Sequence, residues 1–158
     1  MICSVAQVVL LLGGNMGERE RLLAKAEEWI VRTVGTVVRK SNIYESEPWG
    51  FSAPRNFLNR VVVVETTLLP MEVLDRVQDI EKKLGRIRRG KNETCDERIY
   101  ESRLVDIDIL FYDDLILNSE RLIIPHPLIA QREFVLVPLR EIMGEYVHPV
   151  LGKMIRDL

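Results

Sequence analysis

Short runs of apolar, often β-branched residues recur along the chain, and two longer segments between them carry apolar residues at helical spacing. The short runs predict four strands, at Gln7 to Leu12, Thr36 to Tyr44, Phe57 to Thr67 and Arg103 to Phe111. The first predicted helix has the apolar stripe Leu22, Ala26, Trp29 and Ile30. The second begins at Pro70 and has the stripe Val73, Val77, Ile80 and Leu84.

The order strand, helix, strand, strand, helix, strand is typical of a ferredoxin-like α+β sandwich. We therefore expect a mainly antiparallel sheet with the helices packed on one face, leaving the other face to long active-site loops and ligand. Beyond the fourth strand we predict a small hairpin over 115–124 and a final helix from Val135 to Ile142, which Pro138 kinks or breaks.

Composition narrows the function classes. A chain of 158 residues suits one domain, and a net charge of −2 gives no basic surface for nucleic acid. Cys3 and Cys95 fit no metal or redox spacing, which favours a reduced, cytoplasmic protein. The apolar runs are too short to span a membrane.

Two acidic residues interrupt the fourth predicted strand. Alternation places Asp106 and Asp108 on one face, with Cα atoms about 6.6 Å apart, and Val105, Ile107, Ile109 and Phe111 on the other. Two unpaired carboxylates are costly on a buried strand, and a divalent cation with oxygen ligands, Mg²⁺ or Mn²⁺, removes that cost. The alternative is a solvated strand face on which both aspartates form surface salt bridges.

A long polar segment, 86–102, leads into this strand. It carries Arg86, Arg88, Arg89, Lys91 and Arg98, and Arg103 follows it. A local basic cluster in an acidic protein suggests an anionic ligand such as a triphosphate, held under a lid. A solvated surface loop is the alternative.

Several other residues are candidates for binding. The loop over 45–54 carries Trp49 and Phe51, which either anchor a small core or line a pocket for a flat ligand. Asn59 interrupts an apolar strand and needs a hydrogen-bond partner if it is buried. Gln78 and Glu81 lie on one flank of the second helix. His126 stands between two prolines, which fix its backbone and can aim its ring.

Taken in order, these features form a recognisable set: Gly13 and Asn15, Pro48 and Gly50, Phe57-Leu58-Asn59, Gln78-x-x-Glu81, Gly85-Arg86-Ile87-Arg88, Arg103-x-x-Asp106-x-Asp108, Pro125-His126 and Arg132-x-Phe134. The set resembles the 6-hydroxymethyl-7,8-dihydropterin pyrophosphokinase family of folate biosynthesis over nearly the whole length. The chain departs from the family pattern at Gly14, where serine is common, and at Phe57, where tyrosine is frequent.

The resemblance implies an enzyme that transfers pyrophosphate from ATP to the pterin hydroxymethyl group and releases AMP. It implies two Mg²⁺ ions held by Asp106 and Asp108. Since nothing in the sequence suggests a required partner, we expect a cytoplasmic monomer. Phosphate handling falls to Arg86, Arg88 and Arg103, and nucleotide binding to Gln78, Glu81, His126 and Arg132. The pterin is sandwiched by Phe57 and Phe134 and hydrogen-bonded by Asn59, helped by backbone groups around Ser46, Glu47 and Trp49. A metal-dependent phosphohydrolase and a non-catalytic nucleotide or pterin binder are the competing readings of the same residues.

Overall fold

The computed structural model describes residues 4–15, 17–47, 56–85 and 104–158. The strands are β1 (Ala6–Gly14), β2 (Thr36–Lys40), β3 (Tyr44–Ser46), β4 (Phe57–Thr66), β5 (Asp106–Tyr112), β6 (Leu117–Asn118) and β7 (Ile123–Ile124). The α-helices are α1 (Arg19–Thr33), α2 (Pro70–Gly85) and α3 (Glu133–Met143). The predicted ferredoxin-like order of elements is confirmed, and the small hairpin of β6 and β7 and the helix α3 follow it.

The main sheet has the spatial order β2-β4-β1-β5, and each neighbouring pair is antiparallel. Gly13 of β1 is paired with Asn59 of β4 on one side and with Asp106 of β5 on the other. Leu11 is paired in the same way with Asp108. Directly paired residues point to the same face of a sheet. The register therefore brings the two aspartates and Asn59 to one face around the end of β1.

The predicted strand from Thr36 to Tyr44 is wrong in its middle, where the chain leaves the ladder between β2 and β3. Ser41 causes the break. Its N–H still donates to the Val61 carbonyl at 2.9 Å, but the Val61 N–H donates to the Ser41 hydroxyl at 3.0 Å. The displaced Ser41 carbonyl accepts from the Arg60 guanidinium instead. The chain then returns to β4 as β3, so Glu45 and Ser46 are strand residues and not part of the predicted loop.

Two hydrophobic cores lie on opposite faces of the sheet. The first packs against α1 and α2, where the whole predicted stripe of α2 is buried. The second packs against Val135, Leu136 and Leu139 of α3. The predicted packing on one face thus holds for α1 and α2, whereas α3 covers part of the face that we had left to loops and ligand. The helix α3 also runs through Pro138 to Met143 and does not break there.

A β-bulge changes the end of β5. The register shifts so that Ile109 is paired with Leu10 and Phe111 with Val9, which leaves Leu110 as the extra residue. Leu110 and Phe111 consequently both belong to the second core. The prediction that Phe111 shares a face with Ile107 and Ile109 is therefore wrong.

No helix of the described residues is long and apolar enough to cross a membrane.

Candidate active site

One cavity of about 200 Å³ gathers most of the predicted site residues. It lies on the face of the sheet that α3 partly covers. Its lining consists of Leu11, Gly13, Ser46, Glu47, Phe57, Asn59, Asp106, Asp108, Arg132 and Phe134. All of these except Leu11 and Gly13 were predicted as site residues from the sequence. Residues from four strands and the start of α3 therefore meet at one place.

A larger cavity, of about 870 Å³, lies between α1 and α2. It is lined by Trp29 and by charged side chains of both signs, including Lys83 and Asp79. None of the predicted site residues that the structure describes belongs to this lining. Because a site is identified by convergent polar groups as well as by size, we take the smaller cavity as the candidate active site.

Asn59 is the buried polar residue of the cavity, with an exposed fraction of 2%. Its side-chain amide donates to the Ser46 hydroxyl at 2.8 Å, which supplies the partner that burial demands. A Cβ atom at Gly13 would lie 3.3 Å from the Asn59 amide oxygen. The glycine therefore leaves room for that amide beside β1.

Aromatic rings enter the cavity from two elements. Phe57 opens β4, and Phe134 lies in the first turn of α3. Both rings are half-buried. The Arg132 guanidinium carbon lies 5.6 Å from the centre of the Phe134 ring, which is within reach of a cation–π interaction.

The two aspartates differ in exposure, since Asp106 is exposed and Asp108 is half-buried. Near them lies His126, whose Nδ1 accepts the N–H of Leu128 at 3.2 Å, so that the ring proton sits on Nε2. Burial lowers the pKa of the His126 imidazole, while Asp108 opposes this shift and Arg132 adds to it. The imidazole is therefore neutral at pH 7 and can act as a hydrogen-bond donor through Nε2.

The donor set fits Mg²⁺. Asp106 and Asp108 offer only oxygen ligands, and both line the cavity. The part of the chain that the structure describes contains no group of three or more histidine, cysteine or acidic side chains that could form a closed metal site. Magnesium in nucleotide sites is held by one or two carboxylates together with substrate phosphates, so two aspartates are sufficient.

Comparison with known proteins identifies the family of the chain. The family model of 7,8-dihydro-6-hydroxymethylpterin-pyrophosphokinase (HPPK) matches residues 9–144. The chain belongs to this family.

Two relatives named 2-amino-4-hydroxy-6-hydroxymethyldihydropteridine pyrophosphokinase cover most of the chain. The protein of Aquifex aeolicus is 37% identical over 153 residues, which are 97% of this chain and 90% of the relative. A protein of Porphyromonas gingivalis is 39% identical over 146 residues, which are 92% of this chain and 95% of the relative.

Solved structures of Plasmodium falciparum HPPK-DHPS share the fold. One of them has a TM-score of 0.74 at 18% identity. The match covers 98% of this chain but only 45% of the Plasmodium protein, so this chain spans less than half of its length.

Three predicted nucleotide-site residues of this pyrophosphokinase, Gln78, Glu81 and His126, lie outside the cavity lining. Gln78 is exposed, and its side-chain oxygen accepts from Arg121 at 3.2 Å. Arg121 also forms an ion pair with Asp75 at 2.9 Å. Sequence reasoning missed Arg121, because an isolated arginine near a short hairpin belongs to no local pattern.

Glu81 is buried, with an exposed fraction of 8%. Its carboxylate accepts the backbone N–H of Ile107 at 2.7 Å. Glu81, which was predicted to bind the nucleotide, therefore also contacts the strand that carries both aspartates. Four predicted site residues, Trp49, Arg86, Arg88 and Arg103, lie outside the described residues.

Proposed function

We propose that the cavity binds 6-hydroxymethyl-7,8-dihydropterin at its aromatic end and the metal-bound phosphates of ATP at its acidic end. The chain is a pyrophosphokinase of folate biosynthesis by its family membership. The observation that carries the proposal is that Asn59, Phe57, Phe134 and both aspartates line one cavity. A flat heterocycle needs aromatic faces with a few polar groups, and a metal-bound phosphate chain needs carboxylates, so the two substrates require both kinds of side chain next to each other.

The pterin end supplies stacking surfaces and an amide. A pterin is flat with polar edges, so the rings of Phe57 and Phe134 can cover its faces. The bond to Ser46 engages one donor of the Asn59 amide. An amide has a second donor and an acceptor, which match the edge of a pterin. The side of the cavity formed by Ser46 and Glu47 completes this end.

The acidic end supplies the ligands for two Mg²⁺ ions, held by Asp106 and Asp108. When bound, Mg²⁺ neutralises phosphate charge that would otherwise repel the two carboxylates. Arg132 lines the same cavity and adds a fixed positive charge for the nucleotide. His126 donates to the nucleotide through Nε2, and Gln78 contributes from the exposed flank of α2. We assign Arg86, Arg88 and Arg103 to the phosphates on the strength of the family motif.

The reaction needs alignment more than a dedicated base. The hydroxymethyl oxygen attacks the β-phosphorus of ATP, the bond from that phosphorus to the oxygen bridging to the α-phosphate breaks, and AMP leaves. Phosphoryl-type transfers of this kind depend mainly on positioning and electrostatic stabilisation. The protein side chains hold the pterin alcohol in line with the phosphate chain and exclude water as a competing acceptor. The enzyme acts as a cytoplasmic monomer in this proposal.

The test is AMP formation from ATP and MgCl₂, with 6-hydroxymethyl-7,8-dihydropterin and in a control without it. We expect AMP only with the pterin, together with an equal amount of the pterin pyrophosphate. AMP or ADP formed without the pterin would indicate a phosphohydrolase. Pterin binding by folded protein without turnover would indicate a non-catalytic binding protein.

A further inference from the structure

The Glu141 carboxylate near the end of α3 accepts hydrogen bonds from the segment that leads into β3. One oxygen accepts the Asn42 backbone N–H at 3.0 Å and the Tyr44 hydroxyl at 2.8 Å. The other oxygen accepts the Asn42 side-chain amide at 3.2 Å. A single charged group that binds backbone and side-chain donors together fixes this segment relative to α3.

The two elements joined by Glu141 both line the candidate pterin pocket, through Phe134 of α3 and Ser46 of β3. Phe134 lies on α3 about two turns before Glu141. Tyr44 and Ser46 are two residues apart on β3 and therefore point to the same face. Ser46 accepts from Asn59 inside the cavity. The contact with Glu141 thus connects the wall that carries Phe134 with the wall that carries Ser46.

Among the described residues, few other contacts hold the strand β3. It spans three residues and pairs with β4 along one edge. On its other face, Glu45 forms an ion pair with Arg19 at 3.4 Å, and Arg19 also donates to the Asn56 carbonyl at 2.9 Å. These contacts lie on the α1 side. On the α3 side, the polar side-chain contacts described for β3 are those of Tyr44 with Glu141 and of Ser46 with Asn59.

The helix α3 does not need Glu141 to stay in place. Val135, Leu136 and Leu139 are each at most 2% exposed and anchor the helix in the second core. Glu141 itself is exposed. Removing its carboxylate therefore loosens β3 while the helix and the sheet remain packed.

We propose that Glu141 is a positioning residue that sets the width of the pterin pocket, and so the affinity for the pterin, without touching the ligand. This inference rests on the proposed location of the pterin. The hydrogen bond to Glu141 also raises the pKa of the Tyr44 hydroxyl, as expected when a phenol donates to a carboxylate. The described hydrogen bonds of Glu141 are made to Asn42 and Tyr44 and do not involve Asp106 or Asp108 at the acidic end of the cavity.

The experiment compares E141A and E141Q with the matched control E145A. Glu145 follows the same helix, has a side chain that is 84% exposed and forms only a 3.9 Å ion pair with Arg156 among its described contacts. We expect E141A to weaken pterin binding about tenfold in a calorimetric titration, since bonds to a charged acceptor are lost. The KM for ATP and the kcat stay unchanged. E141Q restores part of the affinity, because its amide oxygen accepts the Asn42 and Tyr44 donors but its nitrogen cannot accept the Asn42 side chain.

Hydrogen exchange in the ligand-free protein gives a readout that is independent of activity. We expect faster exchange at Asn42 and over 44–46 in E141A, and no change in E145A. In a double-mutant cycle, Y44F adds little to E141A, because both changes remove the same bond. Unchanged exchange over 42–46, unchanged pterin affinity, or equal weakening of pterin and ATP would each overturn the role of Glu141. The variant F134A distinguishes a wrong location of the pterin from a wrong role of Glu141. If F134A binds the pterin as tightly as the unmodified protein, the pterin lies elsewhere. The role of Glu141 in pterin affinity is then overturned, whatever the exchange rates are.

Discussion

The Glu81 carboxylate of α2 accepts the backbone N–H of Ile107 of β5 at 2.7 Å. Ile107 stands between Asp106 and Asp108, so this bond fixes the backbone that presents both candidate metal ligands. It also satisfies an N–H that points away from β1, at a strand edge that has no other strand beside it among the described residues. A buried acid thus fixes the backbone between two acids that line the candidate active site.

Replacement of Glu81 separates its hydrogen bond from its charge. E81A leaves the Ile107 N–H buried without this acceptor, which costs about 1–3 kcal/mol. We expect E81A to lower the melting temperature by about 5 °C and to raise the Mg²⁺ concentration needed for half-maximal activity. E81Q keeps an acceptor oxygen and stays close to the unmodified enzyme in both measurements. Equal damage in E81Q and E81A would show that the charge, and not the bond to Ile107, is what the enzyme requires.

Asp108 tests the proposed metal role most directly, because it lines the cavity, is half-buried and acts electrostatically on His126. We expect D108A to lower kcat by about a thousandfold or more, since metal stabilisation of phosphate charge supplies several kcal/mol. The melting temperature should not fall, because the change removes one of two neighbouring like charges. The control is D114A, which alters an exposed acid outside the cavity lining. Retained activity in D108A would refute the metal role.

Phe134 tests the stacking assignment. F134A removes the ring and its buried area, and we expect pterin binding to weaken about 10- to 100-fold. F134L keeps much of the volume but no π face, so it should recover only part of the affinity. Binding of ATP should change little in either variant when both ligands are titrated separately. Equal weakening of pterin and ATP would contradict the assignment of this ring to the pterin.

Gly14 departs from the family pattern for a steric reason. A Cβ atom there would lie 2.5 Å from the Leu104 carbonyl oxygen, so the backbone would have to shift. We expect G14A and G14S to lower the free energy of unfolding by about 1–3 kcal/mol, the usual cost of overpacking. Urea unfolding with the exposed-site control K25A measures this difference. If G14S were as stable as the unmodified chain, β1 and the segment before β5 would be free to move apart.

Short apolar runs predicted the strands of the main sheet except β3. Alternation predicted the faces of β5 as far as Ile109, because side chains repeat every two residues in a regular strand. It could not place Phe111, since the bulge at Leu110 depends on how β5 meets β1. The break at Ser41 was not predictable either. It occurs because the Ser41 hydroxyl, and not the Ser41 carbonyl, accepts the Val61 N–H. Departures of this kind are set by the partner strand and leave no local signal.

The candidate site was predictable where its residues form a motif along the chain, as in the aspartate pair and Arg132-x-Phe134. Arg121, which contacts Gln78, and Glu141, which contacts the segment leading into β3, were not predictable. Arg121 and Glu141 each contact a segment far away in the sequence, and an isolated charged residue on a helix or hairpin surface resembles an ordinary solvated one. Only the tertiary arrangement shows what such residues contact.

His148 gives the fold a pH dependence that is separate from the active site. Its side chain is 5% exposed, and its Nδ1 accepts the backbone N–H groups of Val150 and Leu151 at 3.2 and 3.1 Å. The ring also meets Phe111 edge to face, with centroids 5.5 Å apart. These contacts require the neutral ring, and burial lowers the pKa of His148 below its ordinary value of 6.5.

The sign of the effect follows from proton binding. Below the unfolded-state pKa of about 6.5, the unfolded chain binds a proton that the folded chain resists. The stabilisation from neutral His148 is therefore complete above that pH and is lost as the pH falls toward the folded-state pKa. We expect the free energy of unfolding to decline between pH 7 and pH 5.5, before the carboxylates titrate. H148N keeps an acceptor for the turn but does not titrate, so its slope over this range should be shallower. Burial lowers the pKa of His126 too, so H126N serves as the parallel variant, and the double variant should be flattest. A slope in H148N equal to that of the unmodified protein would place the pH dependence elsewhere.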